Sequence, residues 1–169
     1  DRKLPDNGAI DLLAQRLAFF DRYLKGNSNV EVQKDRVRVY ISGAKNSNAN
    51  VWRNFPTFPV PGTKQMLFYL HSQGQAQNFP SDGVLNDQLP EEEPVDNYLY
   101  DPSLPTASEV ESFKDRRQTE IRADVLTYTT ALFLKPMTIL GEITLVLYAA
   151  SDATDTDWFA VLTEVFPDG

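Results

Sequence analysis

A chain of 169 residues, 41% hydrophobic and 24% charged, is long enough to bury the core of one domain, and this composition argues against a disordered tail. Its formal net charge of −8 leaves no clustered basic face, which argues against a nucleic-acid partner, and no apolar run reaches the ~20 residues of a membrane span. The absence of cysteine excludes disulfides, thiol catalysis and cysteine-bound zinc.

The first ten residues, "DRKLPDNGAI", have neither the basic start nor the apolar stretch of a signal peptide. A start on Asp1 rather than Met is expected of a segment cut from a longer protein, so that any targeting signal would lie upstream. Ile10, Leu13, Leu17, Phe20 and Leu24 recur at spacings of three and four, which predicts an amphipathic helix. Leu12, Phe19 and Tyr23 widen its apolar stripe enough for more than one neighbour. Asp6 or Asn7 can cap the first turn, and Gly26 sits where a left-handed terminating residue is wanted.

Beyond Gly26 the period becomes two. "RVRVYISG" sets Val37, Val39 and Ile41 on one face and Arg36, Arg38 and Tyr40 on the other, as a half-buried strand requires. Further strands are predicted at "KQMLFYLHS", "DNYLYDP", "ADVLTYTT", "ITLVLYAAS" and "DWFAVLTEVF", each rich in β-branched and aromatic residues. The stretches "NSNANVWRNFPTFPVPGT", "SQGQAQNFPSDGVLNDQLPEEEPVD" and "PSLPTASEVESFKDRRQTE" read as long polar connections. Strands joined by such loops predict a mainly β protein, an antiparallel sandwich, jelly roll or Greek key, preceded by one helix. A parallel sheet is disfavoured, because its crossovers need helices.

Several groups invite a chemical reading. Asp152, Asp155 and Asp157 offer carboxylates, but their spacing fails the EF-hand pattern. A different oxygen-ligand loop and a simple turn between strands both stay open for them. His71 is the single histidine, so a Ser-His-Asp triad within this chain would have to use it. It sits at a strand end, and no G-x-S-x-G elbow accompanies it. "SGAK", Ser42 to Lys45, has the S-x-x-K spacing of Ser-Lys hydrolases but follows a strand instead of opening a helix. Glu91, Glu92 and Glu93 read as a solvated loop. Trp52, Phe55, Phe58 and Phe79 fall in predicted loops, where they can pave a ligand surface or plug the end of a sandwich core. Spacing does not choose between these.

Taken in order, "FFDRYLKG", "VRVYISGAKNSNANVWRNFPTFP", "LFYLHSQG", "YLYDPSLP", "DRRQTEIRADVLTYTT" and "ITLVLYAASDATDTDWFAVLTEVFPDG" resemble the carboxy-terminal part of the cocaine esterase and Xaa-Pro dipeptidyl-peptidase family of serine hydrolases. That family also includes the α-amino-acid ester hydrolases. The resemblance implies that residues 1–29 are the last helix and exit loop of an α/β-hydrolase domain, and that 30–169 are an incomplete jelly roll of the galactose-binding-like type. It implies a catalytic Ser, Asp and His upstream of Asp1, hence no catalytic residue, cofactor or metal in this segment, and a structural role for Asp152, Asp155 and Asp157. Relatives carry a Gly-Gly pair where this chain reads "PTASEVESFKDRRQ", in a loop near the substrate pocket, which makes Val110 and Phe113 candidates for a pocket wall.

The function so implied is that of the non-catalytic part of a hydrolase cleaving Xaa-Pro dipeptides or acyl and α-amino-acid esters through an acyl-enzyme. Its expected partners are the α/β-hydrolase and cap domains of the same parent chain, a small peptide or ester substrate and, at the assembly level, further copies of itself. The rival is a stand-alone carbohydrate-binding β-sandwich, galactose-binding-like, using the loop aromatics and the aspartate loop for a sugar and a calcium ion.

Overall fold

A computed structural model describes residues 8–31, 35–43, 48, 50–78, 80–104 and 115–166 of the chain. Asp11 starts the first element. Its backbone is extended and its carboxylate accepts the Ala14 N–H at 2.9 Å, satisfying a donor that the first helical turn leaves without a partner. Helix α1 then runs Leu12–Tyr23. The cap is thus Asp11, several residues later than Asp6 or Asn7, which lie outside the described residues. At the other end Gly26 adopts φ +69°, and Asn27 N–H reaches back to the Asp21 carbonyl at 3.0 Å, the closing bond that a left-handed residue permits. Arg22 donates to the carbonyls of Ser28 and Val30 and fastens the following loop to the helix.

The chain divides into two units. One holds the described residues up to Thr63 together with Thr138–Glu142; the other holds Lys64–Met137 and the described residues from Ile143 onward. In the first, β1 (Val37–Ile41) pairs antiparallel with β2 (Val51–Phe55), with Tyr40 opposite Trp52 and Arg38 opposite Asn54. Val37, Val39 and Ile41 are half-buried and Arg38 is exposed as predicted, but Tyr40, on the Arg38 face, is half-buried too, packed against Trp52. Strand β2 falls in a stretch expected to be a loop. Its Val, Trp and Phe read as strand residues only once the β1 edge lies alongside to bond their backbone.

In the second unit β3 (Tyr69–His71) pairs antiparallel with β4 (Val84–Asn86), His71 opposite Val84. The predicted strand "KQMLFYLHS" is trimmed to three residues, and β4 emerges inside the longest predicted loop, too short to show a period. Residues 125–129, part of the predicted strand "ADVLTYTT", lie beside β4 through a parallel bridge, Val84 to Thr129. Leu85 N–H donates to the Thr129 carbonyl at 3.0 Å and Thr129 N–H to the Gly83 carbonyl at 3.1 Å. A short helix α2 (Arg117–Glu120) precedes this segment, with Asp115 held by Arg117 down to a pKa of about 2.

Few helices and antiparallel strand pairs make the described architecture mainly β. The predicted strands "DNYLYDP", "ITLVLYAAS" and "DWFAVLTEVF" have no ladder among the described residues. Among the described residues Val60 and Ala76 are the buried apolar ones, whereas Leu132, Leu134 and Tyr148 are 90%, 97% and 96% exposed. Helix α1 shares this state: Leu12, Leu13, Leu17, Phe19, Phe20 and Tyr23 all remain exposed.

Gly83 is buried where the 125–129 segment crosses β4, and a Cβ there would stand 2.0 Å from the Thr127 carbonyl oxygen and 3.0 Å from Tyr128 Cδ1. Gly83→Ala should therefore push the two segments apart and lower stability by about 2–3 kcal/mol, read as a shift of the urea midpoint.

Candidate functional site

The densest polar arrangement in the second unit is built by two consecutive residues at the end of β3. His71 closes the strand and Ser72 follows it, and both reach into the loop that runs from β4 to residue 98. His71 Nδ1 lies 2.6 Å from Glu93 Oε1, and Nε2 lies 3.1 Å from the Gln88 carbonyl oxygen. Ser72 N–H donates to the other Glu93 oxygen at 3.2 Å, and its hydroxyl donates to Asp96 Oδ2 at 2.7 Å. Asp96 also accepts the Ala76 N–H at 3.0 Å and the Tyr128 hydroxyl at 2.6 Å. One carboxylate thus receives donors from three separate segments.

A second hydroxyl completes the frame. Ser81 Oγ lies 2.7 Å from the Thr127 carbonyl and 3.1 Å from the Ala76 carbonyl, and it accepts the Gly83 N–H at 2.9 Å. Thr127 N–H in turn donates to the Ala76 carbonyl at 3.0 Å. Ala76 is fully buried at the centre of these bonds.

The protonation states follow from the geometry. The bond to Glu93 raises the His71 pKa above its ordinary 6.5; burial opposes this, and the Gln88 carbonyl and the Asn86 side chain add to the rise. Glu93 is lowered, first by the same bond. Burial pushes Asp96 up, but the bonds from Tyr128, Ala76 and Ser72 outweigh it and keep this carboxyl below its usual range. Burial, and then the bond to Asp96, pushes the Tyr128 phenol upward.

These bonds tie the loop after β4 to the end of β3. The Ser72 hydroxyl is bonded to the Asp96 carboxylate, and the His71 ring to Glu93 and Gln88 rather than to a serine oxygen. Glu93 departs from the expected solvated run: Glu91 and Glu92 are exposed, but Glu93 is half-buried between His71 and Ser72.

The other candidates fall elsewhere. Trp52 and Phe55 are on β2 rather than in a loop. Trp52 packs against Tyr40 with ring centroids 5.3 Å apart, the Arg38 guanidinium sits 4.8 Å from its ring centre, and its buried indole nitrogen has no hydrogen-bond partner among the described residues. Phe58 is exposed, and Phe79 lies outside the described residues. Ser42 is exposed at the end of β1, while Lys45 lies outside the described residues. Asp152, Asp155 and Asp157 are exposed around a bend in which Ser151 accepts the Ala153 N–H, and the adjoining Trp158 meets Tyr98 edge-on at 6.1 Å. Among the described residues no group of three or more carboxylates or histidines converges as a metal site would require. Val110 and Phe113 lie outside the described residues. An open groove of about 400 Å³ is lined by Leu99, Asp101, Leu104, Arg122, Ala123 and Asp124, with Arg122 bonded to both oxygens of Asp124 and to the Leu104 carbonyl.

Sequence reading singled out His71 and Glu93 but not Ser72, Asp96 or Tyr128. The available signal was local: a serine directly after an apolar strand, and an aspartate directly before another.

Residues 28–169 match the family of X-Pro dipeptidyl-peptidase C-terminal non-catalytic domains. The chain is 34% identical over 161 residues to a cocaine esterase of Rhodococcus sp. (strain MB1 Bresler), covering 90% of this chain and 27% of that relative.

Removing the central carboxylate should be felt throughout this frame. Asp96→Ala leaves the Ser72, Ala76 and Tyr128 donors unpaired and should cost about 2–3 kcal/mol, measured by urea denaturation at neutral pH. Because the folded pKa of Asp96 is lowered, its contribution is present above the unfolded carboxylate value and lost as the pH falls through the folded one. The difference in midpoint between wild type and Asp96→Asn should therefore shrink on acidification.

Proposed function

Since the chain belongs to the family of X-Pro dipeptidyl-peptidase C-terminal non-catalytic domains, we propose that it is the trailing, non-catalytic part of a serine hydrolase whose Ser, Asp and His lie upstream of this segment. The observation that carries this reading is the family match over residues 28–169, together with the 27% share of a cocaine esterase that the chain spans. In this reading residues 1–29 end an α/β-hydrolase domain, and 30–169 contribute to a galactose-binding-like jelly roll. The parent acylates its serine on an ester, or on an amide after a penultimate proline, and releases the acyl group to water with histidine as general base. The family match does not favour the carbohydrate-binding alternative.

Physical support comes from the uncovered apolar surface. On α1 the side chains of Leu12, Leu13, Leu17, Phe19, Phe20 and Tyr23 are exposed, as is that of Leu24 just after it. Covering their remaining area would contribute on the order of 5–10 kcal/mol, comparable to the whole stability of a domain. The parent's α/β-hydrolase domain is the proposed cover for this stripe. Ile143, Leu145 and Leu147 alternate with Val146 and Tyr148, all of them exposed, so this segment is apolar on both faces. That is the pattern of a strand covered on both faces.

Two experiments test the reading. A fluorophosphonate probe should add one adduct to the intact parent and none to residues 1–169 alone; an adduct on the segment, or none on the parent, would sink it. Leu17→Ala should cost the intact protein about 2–4 kcal/mol but leave the isolated segment within about 0.5 kcal/mol of wild type, compared by thermal denaturation.

A further inference from the structure

The His71 ring is gripped by two acceptors at once. A backbone carbonyl can only accept, so Nε2 must carry a hydrogen to bond Gln88; an ionised carboxylate can only accept, so Nδ1 must carry one to bond Glu93. Both bonds together need the charged imidazolium. A neutral ring has to give one up. With its hydrogen on Nε2, a bare nitrogen would face the Glu93 carboxylate at 2.6 Å; with its hydrogen on Nδ1, the bare nitrogen faces only a neutral carbonyl at 3.1 Å. The second arrangement is the milder repulsion, so the Gln88 contact is the one that opens. Apart from the ring, the turn from Asp87 to Glu93 is tied at its ends, through the Gln88 N–H donated to the Asn86 side chain at 2.8 Å and the Ser72 N–H donated to Glu93 at 3.2 Å.

We propose that His71 is a pH-operated latch on the turn from Asp87 to Glu93, closed against the end of β3 while the ring is charged and opened at Gln88 when the ring loses its proton. The groups acting on the ring are the Glu93 carboxylate, the Gln88 carbonyl and the Asn86 side chain, and Asp96 acts on Glu93 as a like charge. The raised pKa of His71 means that its contribution is fully present below 6.5 and is lost as the pH rises through the folded value. The lowered pKa of Glu93 means that its contribution is present above the unfolded carboxylate value and is lost as the pH falls through the folded one. The latch therefore holds in the window between the two.

The test is hydrogen exchange by mass spectrometry on the intact protein between about pH 5.5 and about pH 8.5, corrected for intrinsic exchange. Protection of the peptide spanning Asp87 to Glu93 should fall about threefold or more across that range, with a midpoint matching the imidazole NMR titration assigned by its loss in His71→Gln. His71→Gln should give low protection without the pH dependence. Glu93→Gln should give high protection without it, since a neutral ring can accept from the glutamine amide at Nδ1 while donating to Gln88. A flat wild-type profile, a His71→Gln profile that still falls with pH, or a Glu93→Gln profile that falls like the wild type would overturn the proposal.

Discussion

The Asp96 carboxylate is the constraint on which the second unit depends. Its oxygens take a serine hydroxyl from the end of β3, a backbone N–H from the following loop and a phenol from the segment that bridges to β4. With so little apolar burial around it, directional bonds to a charged acceptor carry more of the local order than packing does. Such bonds are about twice as strong as neutral ones. They also specify position, because each donor must arrive at one place and angle. The buried Ala76 and the close passage of Gly83 against Thr127 follow from this convergence.

The two units differ in how they are held. In the first, β1 and β2 are joined by a five-residue ladder and by the stacking of Tyr40, Trp52 and Arg38 on one face. An exposed cation over an indole contributes only about 0.5–1 kcal/mol, so the ladder and cross-strand packing do most of the holding. In the second, the ladder between β3 and β4 is three residues long, too short to hold alone, and side-chain bonds take over.

Much of this was legible in the sequence where a period repeats. The three- and four-residue spacing from Ile10 to Leu24 marked the helix, Gly26 marked its end, and the alternation from Val37 to Ile41 marked a strand. The ordered family segments pointed to the family to which the chain belongs. What escaped was short or non-local. Strand β4 is three residues, and the Val-Trp-Arg-Asn-Phe run of β2 gains its meaning only from the β1 edge beside it. Asp96 looked like a strand boundary, because its partners lie at Ser72, Ala76 and Tyr128 and no spacing rule links such positions.

The sequence distances within that hub also set an order of assembly. Ser72 and Ala76 lie 24 and 20 residues before Asp96, so these legs can close as soon as Asp96 has left the ribosome. Tyr128 lies 32 residues after it. At ordinary rates of synthesis that gap lasts roughly 2–6 s, far longer than loop closure needs. For that interval two of the three donors of the carboxylate are available on the nascent chain and the third is still being made.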